Sequence, residues 1–172
     1  MGFDLAGVAT LTAPGGNTLS LDGTVANVMK VNPSGILTRS LAPYMRGQLS
    51  GKGSPYNAGA GNPLLITADV NRGNCWNNAT GYWTCPVAGY YMTTLGAIAS
   101  ANSGYFGTLK NGVQLNQNHW NHSGGWHYVT LSTIVQCAAN DNICWIIQSP
   151  GPATAGFYGD GGHGMYSIAL MA

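Results

Sequence analysis

Hydrophobic and polar residues alternate in the second half of the chain in a way that predicts β-strands. Between residues 128 and 137 two sets of residues interleave, namely Val129, Leu131, Thr133, Val135 and Cys137, and Tyr128, Thr130, Ser132, Ile134 and Gln136. Successive side chains of a strand point to opposite faces, so a period of two places each set on a face of its own. The stretch therefore predicts a strand.

Short runs of this kind recur from residue 64 to residue 172. They are rich in Val, Ile, Thr and aromatic residues and are interrupted by Gly, Asn and Pro: LLITADV, GYWTCPV, YYMTTLGAIA, YFGTL, WHYVTLSTIVQC, ICWIIQ and MYSIALMA. None has a convincing helical repeat. Many short strands separated by turns are typical of all-β sandwiches, so we predict a jelly-roll β-sandwich over residues 64–172.

The first 63 residues have a different pattern. Residues 1–26 are small and polar, with turn signals, and they predict an extended arm in which Leu19 and Leu21 add one strand. Residues 28–31 and 36–39 flank Asn32-Pro33-Ser34-Gly35, which is favourable type I turn chemistry, so a short β-hairpin is expected there. The predicted organisation is an arm (1–26), a hairpin with a Gly/Pro-rich connector (27–63) and the jelly roll (64–172).

The extended arm is expected to be held by a neighbouring protein, because an arm of this composition stays mobile unless another surface binds it. Its apolar side chains are those that a second subunit or a capsid would bury. We therefore predict oligomer or capsid contacts at six of them: Phe3, Leu5, Val8, Leu11, Leu19 and Leu21.

The chain carries few charges. Only 6% of its residues are charged, none is a glutamate, and the formal net charge is +1, whereas soluble domains average about 25% charged residues. The six Lys and Arg residues are scattered, which argues against a nucleic-acid partner, because binding nucleic acid needs clustered positive charge. Since a monomer with so few charges would disperse poorly, much of the surface is expected to meet other protein.

Membrane partners and secretion are not expected from the sequence. No apolar run approaches the ~20 residues of a membrane-spanning helix. The first residues also lack the basic start and long apolar centre of a secretory signal.

The order of motifs from residue 64 resembles the complement one-q globular head and tumour necrosis factor family. That family's Asn-x-Gly, aromatic, Thr-Gly-x-aromatic and Pro-Val-x-Gly-x-Tyr elements have counterparts at Asn71-Arg72-Gly73, Trp76, Thr80-Gly81-Tyr82-Trp83 and Pro86-Val87-Ala88-Gly89-Tyr90-Tyr91. Further counterparts are Lys110-Asn111-Gly112, residues 135–143 with Asn140 where the family usually has Gly, and a C-terminal strand that lacks the family's Gly-Phe, Tyr166-Ser167-Ile168-Ala169-Leu170. The resemblance implies a jelly roll.

The aromatic-rich stretch at residues 73–91 is predicted to be structural. A turn at Asn78-Ala79-Thr80-Gly81 would place Trp76 and Trp83 near each other on one face of a hairpin. Buried aromatic pairs remove large apolar areas from water. We therefore assign Trp76, Trp83 and Tyr91 to the core.

Residues 31–38, followed by Ala42-Pro43, resemble the lead-in to such domains in tailed-bacteriophage virion proteins. This resemblance implies a trimeric structural or adhesive module of a virus particle, assembled in the host cytoplasm, with a major capsid protein or a tail protein as its partner. The leading hypothesis is a capsid decoration (cement) protein. The alternatives are a receptor-binding fibre tip that adheres to a host-surface glycan, and a secreted trimeric complement-like ligand or lectin, which the lack of a signal disfavours.

The fibre hypothesis has candidate receptor contacts between residues 105 and 126, where aromatic residues stand among Asn, Gln and Ser. These contacts are Tyr105, Trp120 and Trp126. Interfaces between protein subunits have a similar composition, and we prefer that interpretation.

No residue pattern predicts catalysis, a cofactor or a metal site. The nucleophile-elbow and zincin motifs are absent, and the five aspartates are too widely spaced for a pair of glycosidase carboxylates. His119, His122 and His127 have no acidic neighbour, so they are expected in a polar loop between strands rather than around a metal. The chain is therefore expected to act by binding and not as an enzyme.

The four cysteines are predicted to be free thiols. Strand parity places Cys75 and Cys85 on different faces, and it likewise separates Cys137 from Cys144. Free thiols are consistent with assembly in a reducing cytoplasm.

Overall fold

The computed structural model describes residues 19–21, 29–31, 37–38, 42–49, 62–148, 157–158 and 164–171, with side chains at 42–49, 62–98, 104–121, 127–147 and 164–171. All regular elements in these ranges are β-strands. The chain divides into two compact units, Met1–Ala42 and Pro43–Ala172.

The first unit contains a three-stranded antiparallel sheet. Its strands are β1 (Leu19–Leu21), β2 (Met29–Val31) and β3 (Leu37–Thr38), with β2 in the middle. β2 pairs with β3 between residues 29 and 38, and β1 at Leu19–Leu21 pairs with β2. Strands of two or three residues are too short to build a stable core of their own.

The second unit contains a nine-stranded antiparallel arrangement. Its strands are β4 (Tyr44–Leu49), β5 (Ile66–Arg72), β6 (Trp76–Asn77), β7 (Tyr82–Thr84), β8 (Gly89–Lys110), β9 (Val113–Cys137), β10 (Asn142–Gln148), β11 (Phe157–Tyr158) and β12 (Met165–Leu170). The order of neighbours is β5-β4-β12-β8-β10-β7-β6, while β9 and β11 also pair with β8.

The long strands β8 and β9 form one hairpin that runs through both layers of a sandwich. The part of β8 from Tyr91 to Gly96 pairs with β12, whereas the part from Tyr105 to Lys110 pairs with β10. We call β5, β4, β12, the start of β8 and the end of β9 the first layer. The second layer comprises β6, β7, β10, the end of β8 and the start of β9.

Aromatic side chains from the two layers meet in the core. The ring centroids of Trp145 in β10 and Tyr166 in β12 lie 6.1 Å apart, and those of Trp83 in β7 and Tyr91 in β8 also lie 6.1 Å apart. All four residues are fully buried. Two antiparallel layers that bury alternate residues between them form the predicted all-β jelly-roll sandwich.

The Trp76 side chain is held in the core by both ring packing and a hydrogen bond. Its ring packs on Trp145 at a centroid distance of 5.8 Å, and its Nε1 donates a hydrogen bond to the Ile66 carbonyl at 2.9 Å. The Asn71 side chain donates to the Trp76 carbonyl and accepts from the Trp76 amide. Edge strand β5 is thereby joined to the β6–β7 hairpin, which accounts for the Asn at the start of the recognised motif.

Three features of the sandwich differ from the sequence predictions. First, β4 belongs to the sandwich although it lies in the predicted connector, so the jelly-roll unit begins near Pro43 rather than residue 64. Second, the runs YYMTTLGAIA and YFGTL are parts of the single strand β8. Third, the histidine-containing stretch predicted as a polar loop is part of β9.

A polar clamp joins two turns at one end of the sandwich. The Asp141 carboxylate accepts hydrogen bonds from Asn111 Nδ2 at 2.7 Å and from the Ala138 amide at 2.8 Å, and Lys110 Nζ lies 3.3 Å from it. The Asn142 amide donates to Asn111 Oδ1 at 2.8 Å. The Lys-Asn-Gly and Asn-Asp motifs therefore meet in space, which explains their shared presence in the recognised pattern.

The Asp141 clamp predicts an acid-dependent loss of stability. The hydrogen bond from Asn111, followed by that from Ala138, lowers the pKa of Asp141 below its ordinary value of 3.8. A carboxylate whose folded pKa is depressed stabilises the fold above its unfolded pKa, and this contribution is lost as the pH falls through the folded pKa. We expect Asp141→Asn to lower the urea midpoint at pH 7 and to differ less from the wild type at pH 3.

A matched control is Asp69→Asn. Asp69 accepts from Arg46 alone among side chains, in an exposed ion pair, so a smaller change at pH 7 is expected. Equal losses for Asp141→Asn at both pH values would show that the carboxylate charge is not the source of the effect.

No helix among the described residues is long and apolar enough to cross a bilayer.

Candidate interaction surface

The outer side of the first layer carries an unusual number of exposed apolar side chains. Strand alternation turns Tyr91 and Val135 inward, so their neighbours Tyr90 and Ile134 point outward. The exposed apolar residues of β8, β9 and β12 on this side have relative exposures of 44–60%: Tyr90, Met92, Tyr128, Ile134 and Met165. We call these five residues the apolar face.

The apolar face is continuous across neighbouring strands. Met92 pairs directly with Ile134 on one side and with Ala169 on the other. Residues that pair directly across strands share a face and lie side by side. Met92, Ile134 and Ala169 therefore form one continuous apolar row across the three strands.

Gly96 keeps part of this face flat. A Cβ atom placed on Gly96 would lie 2.4 Å from the hydroxyl oxygen of Tyr128 and 3.0 Å from its Cζ. Only a residue without a side chain lets the tyrosine lie across the strand at this point. A flat surface is well suited to close packing against another flat surface.

The apolar face carries no formal charge on the described outward positions of β8, β9 and β12. The charged side chains of the first layer lie in its other two strands, where Arg46 in β4 and Asp69 in β5 form an ion pair at 2.8 Å and Arg72 in β5 is exposed. The hydrogen bond and charge of Arg46 lower the pKa of Asp69, so the pair stays ionised and neutral as a whole at physiological pH. Exposed apolar patches without charge typically mark surfaces that bind other proteins.

The apolar face was not predicted from the sequence, although the sequence of β9 contains a signal of it. Tyr128 and Ile134 lie on the phase of β9 that is otherwise polar. Large apolar residues on the solvent phase of a strand indicate that this phase is covered by something else.

The predicted arm contacts cannot be placed. Phe3, Leu5, Val8 and Leu11 lie outside the described residues, and only the backbone of β1 is described at Leu19 and Leu21. Their contact role stays a prediction.

The three candidate receptor contacts have different environments in the structure. Trp120 points into the sandwich, is only 6% exposed and stacks on Phe106 with ring centroids 5.1 Å apart. The expectation that it presents its ring at the surface is wrong, because inward residues of β9 alternate with outward ones. Tyr105 is half-buried on the outer side of the second layer. The Trp126 side chain lies outside the described residues, and a receptor role for it stays a prediction.

The three residues assigned to the core hairpin are buried. Trp76 is 3% exposed, and Trp83 and Tyr91 are fully buried. Trp76 pairs directly with Trp83 across the β6–β7 hairpin, as the predicted turn requires. The Tyr91 hydroxyl donates to the Val87 carbonyl at 2.8 Å, and burial raises the pKa of Tyr91 to about 12.

All four cysteines are buried free thiols. Burial raises the pKa of Cys144 to about 11, and it also raises the pKa values of Cys75, Cys85 and Cys137. Protonated, buried thiols are poor nucleophiles. The thiols therefore serve as core residues in this fold.

Among the described residues, no group of three or more His, Cys, Asp or Glu side chains is arranged to hold a metal ion.

Comparison with solved structures relates this geometry to known folds. The globular domain of zebrafish complement 1qA protein superimposes with a TM-score of 0.62 and 14% identity, covering 76% of this chain and 98% of that one. A crystal structure of murine APRIL at pH 8.0 gives a TM-score of 0.59 and 9% identity over 75% of this chain and 98% of that one. The chain has a complement 1q and tumour necrosis factor-like jelly-roll fold.

A second murine APRIL structure, at pH 5.0, matches the jelly roll at a TM-score of 0.57 and 8% identity, over 76% of this chain and 99% of that one. No family model and no curated protein sequence matches the chain. The jelly-roll architecture is thus shared with these domains at low sequence identity.

Proposed function

We propose that the chain is a non-enzymatic structural protein of a virus particle, a homotrimer that decorates the capsid of a tailed phage. The observation that carries the proposal is the uncharged apolar face on the first layer. A face of this kind is stabilised when it is buried against another protein. In a homotrimer each copy would bury this face against a different surface of the next copy, because a threefold ring joins two unlike patches.

The separate first unit supports attachment to a partner. Its three strands have at most three residues each and cannot bury a core by themselves. Packing on a major capsid protein would supply the missing apolar surface. The resemblance of residues 31–43 to the lead-in of phage virion proteins supports the same partner.

Decoration would act by mass action. A protein that binds the assembled shell and not its free subunits shifts the equilibrium toward the shell. Such a role requires buried surface and no chemical step. Four buried free thiols are consistent with assembly in the reducing cytoplasm of a host.

Immunogold labelling of intact particles from a producing culture tests this proposal. An antibody against residues 64–172 is expected to label the head. Label at the tail would place the chain in a tail fibre instead. Label on no particle would overturn the virion proposal and leave a soluble oligomer.

Deletion of residues 1–26 tests the role of the arm. The truncated protein is expected to lose attachment to particles, because the predicted contacts at Phe3, Leu5, Val8 and Leu11 are removed. The full chain, purified in the same way and added to the same stripped particles, is the control. Attachment of both proteins at equal occupancy would refute the arm contacts.

A further inference from the structure

The outer side of the second layer differs in chemistry from the apolar face. Tyr105 and His119 pair across β8 and β9, and their ring centroids lie 5.1 Å apart at an interplanar angle of 37°. Because their neighbours Phe106 and Trp120 pack into the core, Tyr105 and His119 point outward. His119 is exposed and Tyr105 is half-buried.

Amide side chains lie beside this aromatic pair. Gln117 pairs with Gly107, two residues along from the Tyr105–His119 pair. Gln114 Nε2 donates a hydrogen bond to Gln117 Oε1, so the two amides are held together. A Cβ atom on Gly107 would lie 3.5 Å from Gln114 Cδ, which shows that the Gln114 side chain lies close over the glycine. We call Tyr105, Gln114, Gln117 and His119 the aromatic–amide surface.

We propose that the aromatic–amide surface binds a neutral carbohydrate. An aromatic face carries partial negative charge and attracts the polarised C–H groups on one side of a sugar ring. Neighbouring amides donate to and accept from sugar hydroxyl groups at once. A site with an apolar platform and a few fixed polar groups is the usual composition of small-ligand sites.

Two features favour a neutral sugar over other ligands. None of the four residues is a Lys, Arg, Asp or Glu, so the surface offers no permanent charge to an anionic or cationic ligand. The surface also lies on the opposite side of the sandwich from the apolar face. Burial of the apolar face therefore does not itself cover the aromatic–amide surface.

Saturation-transfer difference NMR tests this inference with the full chain and three neutral probes, chitotriose, maltotriose and mannotriose. At least one trisaccharide is expected to show saturation transfer from the protein. Absence of transfer from all three probes would overturn the inference.

Three variants assign any binding to the aromatic–amide surface. Tyr105→Ala is expected to weaken the Kd by at least about tenfold, a loss equivalent to one stacked ring. Tyr105→Phe keeps the ring and is expected to stay within about twofold of the wild type. Val87→Ala, at an exposed residue far along the chain, is the neutral control. Binding that survives Tyr105→Ala unchanged would place the sugar elsewhere and overturn the assignment.

Discussion

Replacing Trp145 by alanine is expected to lower the free energy of unfolding of the jelly-roll unit by about 3–5 kcal/mol, the usual cost of truncating a buried tryptophan. Trp145 is fully buried in β10 and its ring contacts Trp76 at 5.8 Å and Tyr166 at 6.1 Å. It therefore joins both layers of the sandwich. Since domains are stable by only about 5–15 kcal/mol, this single change would remove a large share of the total.

The effect of Trp145 should come from packing and not from hydrogen bonding. Its Nε1 has no hydrogen-bond partner among the residues that the structure describes. Trp145→Phe removes only part of the ring volume and leaves no polar group unpaired. We expect this variant to lose clearly less stability than Trp145→Ala, because the smaller ring still fills most of the space.

Urea unfolding followed by tryptophan fluorescence and circular dichroism measures both variants. Val113→Ala is the matched surface control, since Val113 is 66% exposed, and it should lie within about 0.5 kcal/mol of the wild type. If Trp145→Ala unfolds at the same urea concentration as Val113→Ala, the central position of Trp145 in the core is wrong.

The core around Trp145 was largely predictable from the sequence because its strands alternate cleanly. In β9 the inward residues Val129, Leu131 and Val135 are apolar. Trp76 and Trp83, on either side of a turn motif, predicted the aromatic hairpin. Where every second residue of a strand is apolar, the alternation predicts both the strand and the side of it that faces the core.

Strand β4 was not predicted from the sequence, and the reason is physical. Its inward residues are Met45, Gly47 and Leu49, so a glycine interrupts the apolar phase. The structure requires this glycine, because a Cβ atom on Gly47 would lie 2.6 Å from the Thr67 carbonyl oxygen. A close approach of two strands thus removes the residue that would have revealed the pattern.

The continuity of β8 and β9 was also hidden by local composition. The small and polar residues 101–104 are typical of a break, yet β8 continues through them, with a register shift between Ser100 and Asn102. Small residues allow a strand to bend where it passes from one layer to the other. In the first part of β9, Asn116 and Asn118 occupy the inward phase beside Trp120, so the apolar alternation is lost there.

The apolar face could not be recognised as a site from a single strand. Tyr128 and Ile134 are visible in the sequence, but only the pairing of β8 with β9 and β12 brings Tyr90, Met92 and Met165 beside them. The five residues of the apolar face are far apart in sequence and become neighbours only when the strands pair. The proposal of self-association therefore rests on register, which hydrophobic periodicity alone does not give.

Replacing Ile134 by lysine is expected to convert the proposed homotrimer into single chains of 17.9 kDa. Ile134 is the most exposed residue of the apolar face, at 60%, and it pairs directly with Met92. Burying an isoleucine side chain contributes about 1.5–3 kcal/mol, and a lysine in its place would bring an unpaired charge into the interface. The Kd of each interface should rise by at least about 100-fold.

Three variants distinguish the effect of lost apolar contact from the effect of an added charge in the interface. Ile134→Ala removes apolar area without adding charge and should weaken association by about 10- to 100-fold, less than Ile134→Lys. Val113→Lys adds the same charge at an exposed site outside the apolar face and should leave association unchanged. Circular dichroism is expected to show the same strand content for all three, because none of the changes touches the core.

Native mass spectrometry and light scattering at micromolar concentration give the outcome directly. The wild type should have three times the mass of one chain, Ile134→Lys the mass of one, and Val113→Lys the mass of the wild type. A wild type that is already a single chain would contradict the homotrimer. A stable trimer of Ile134→Lys would instead keep the trimer and exclude the apolar face as its interface, since three lysines would then have to be buried without partners.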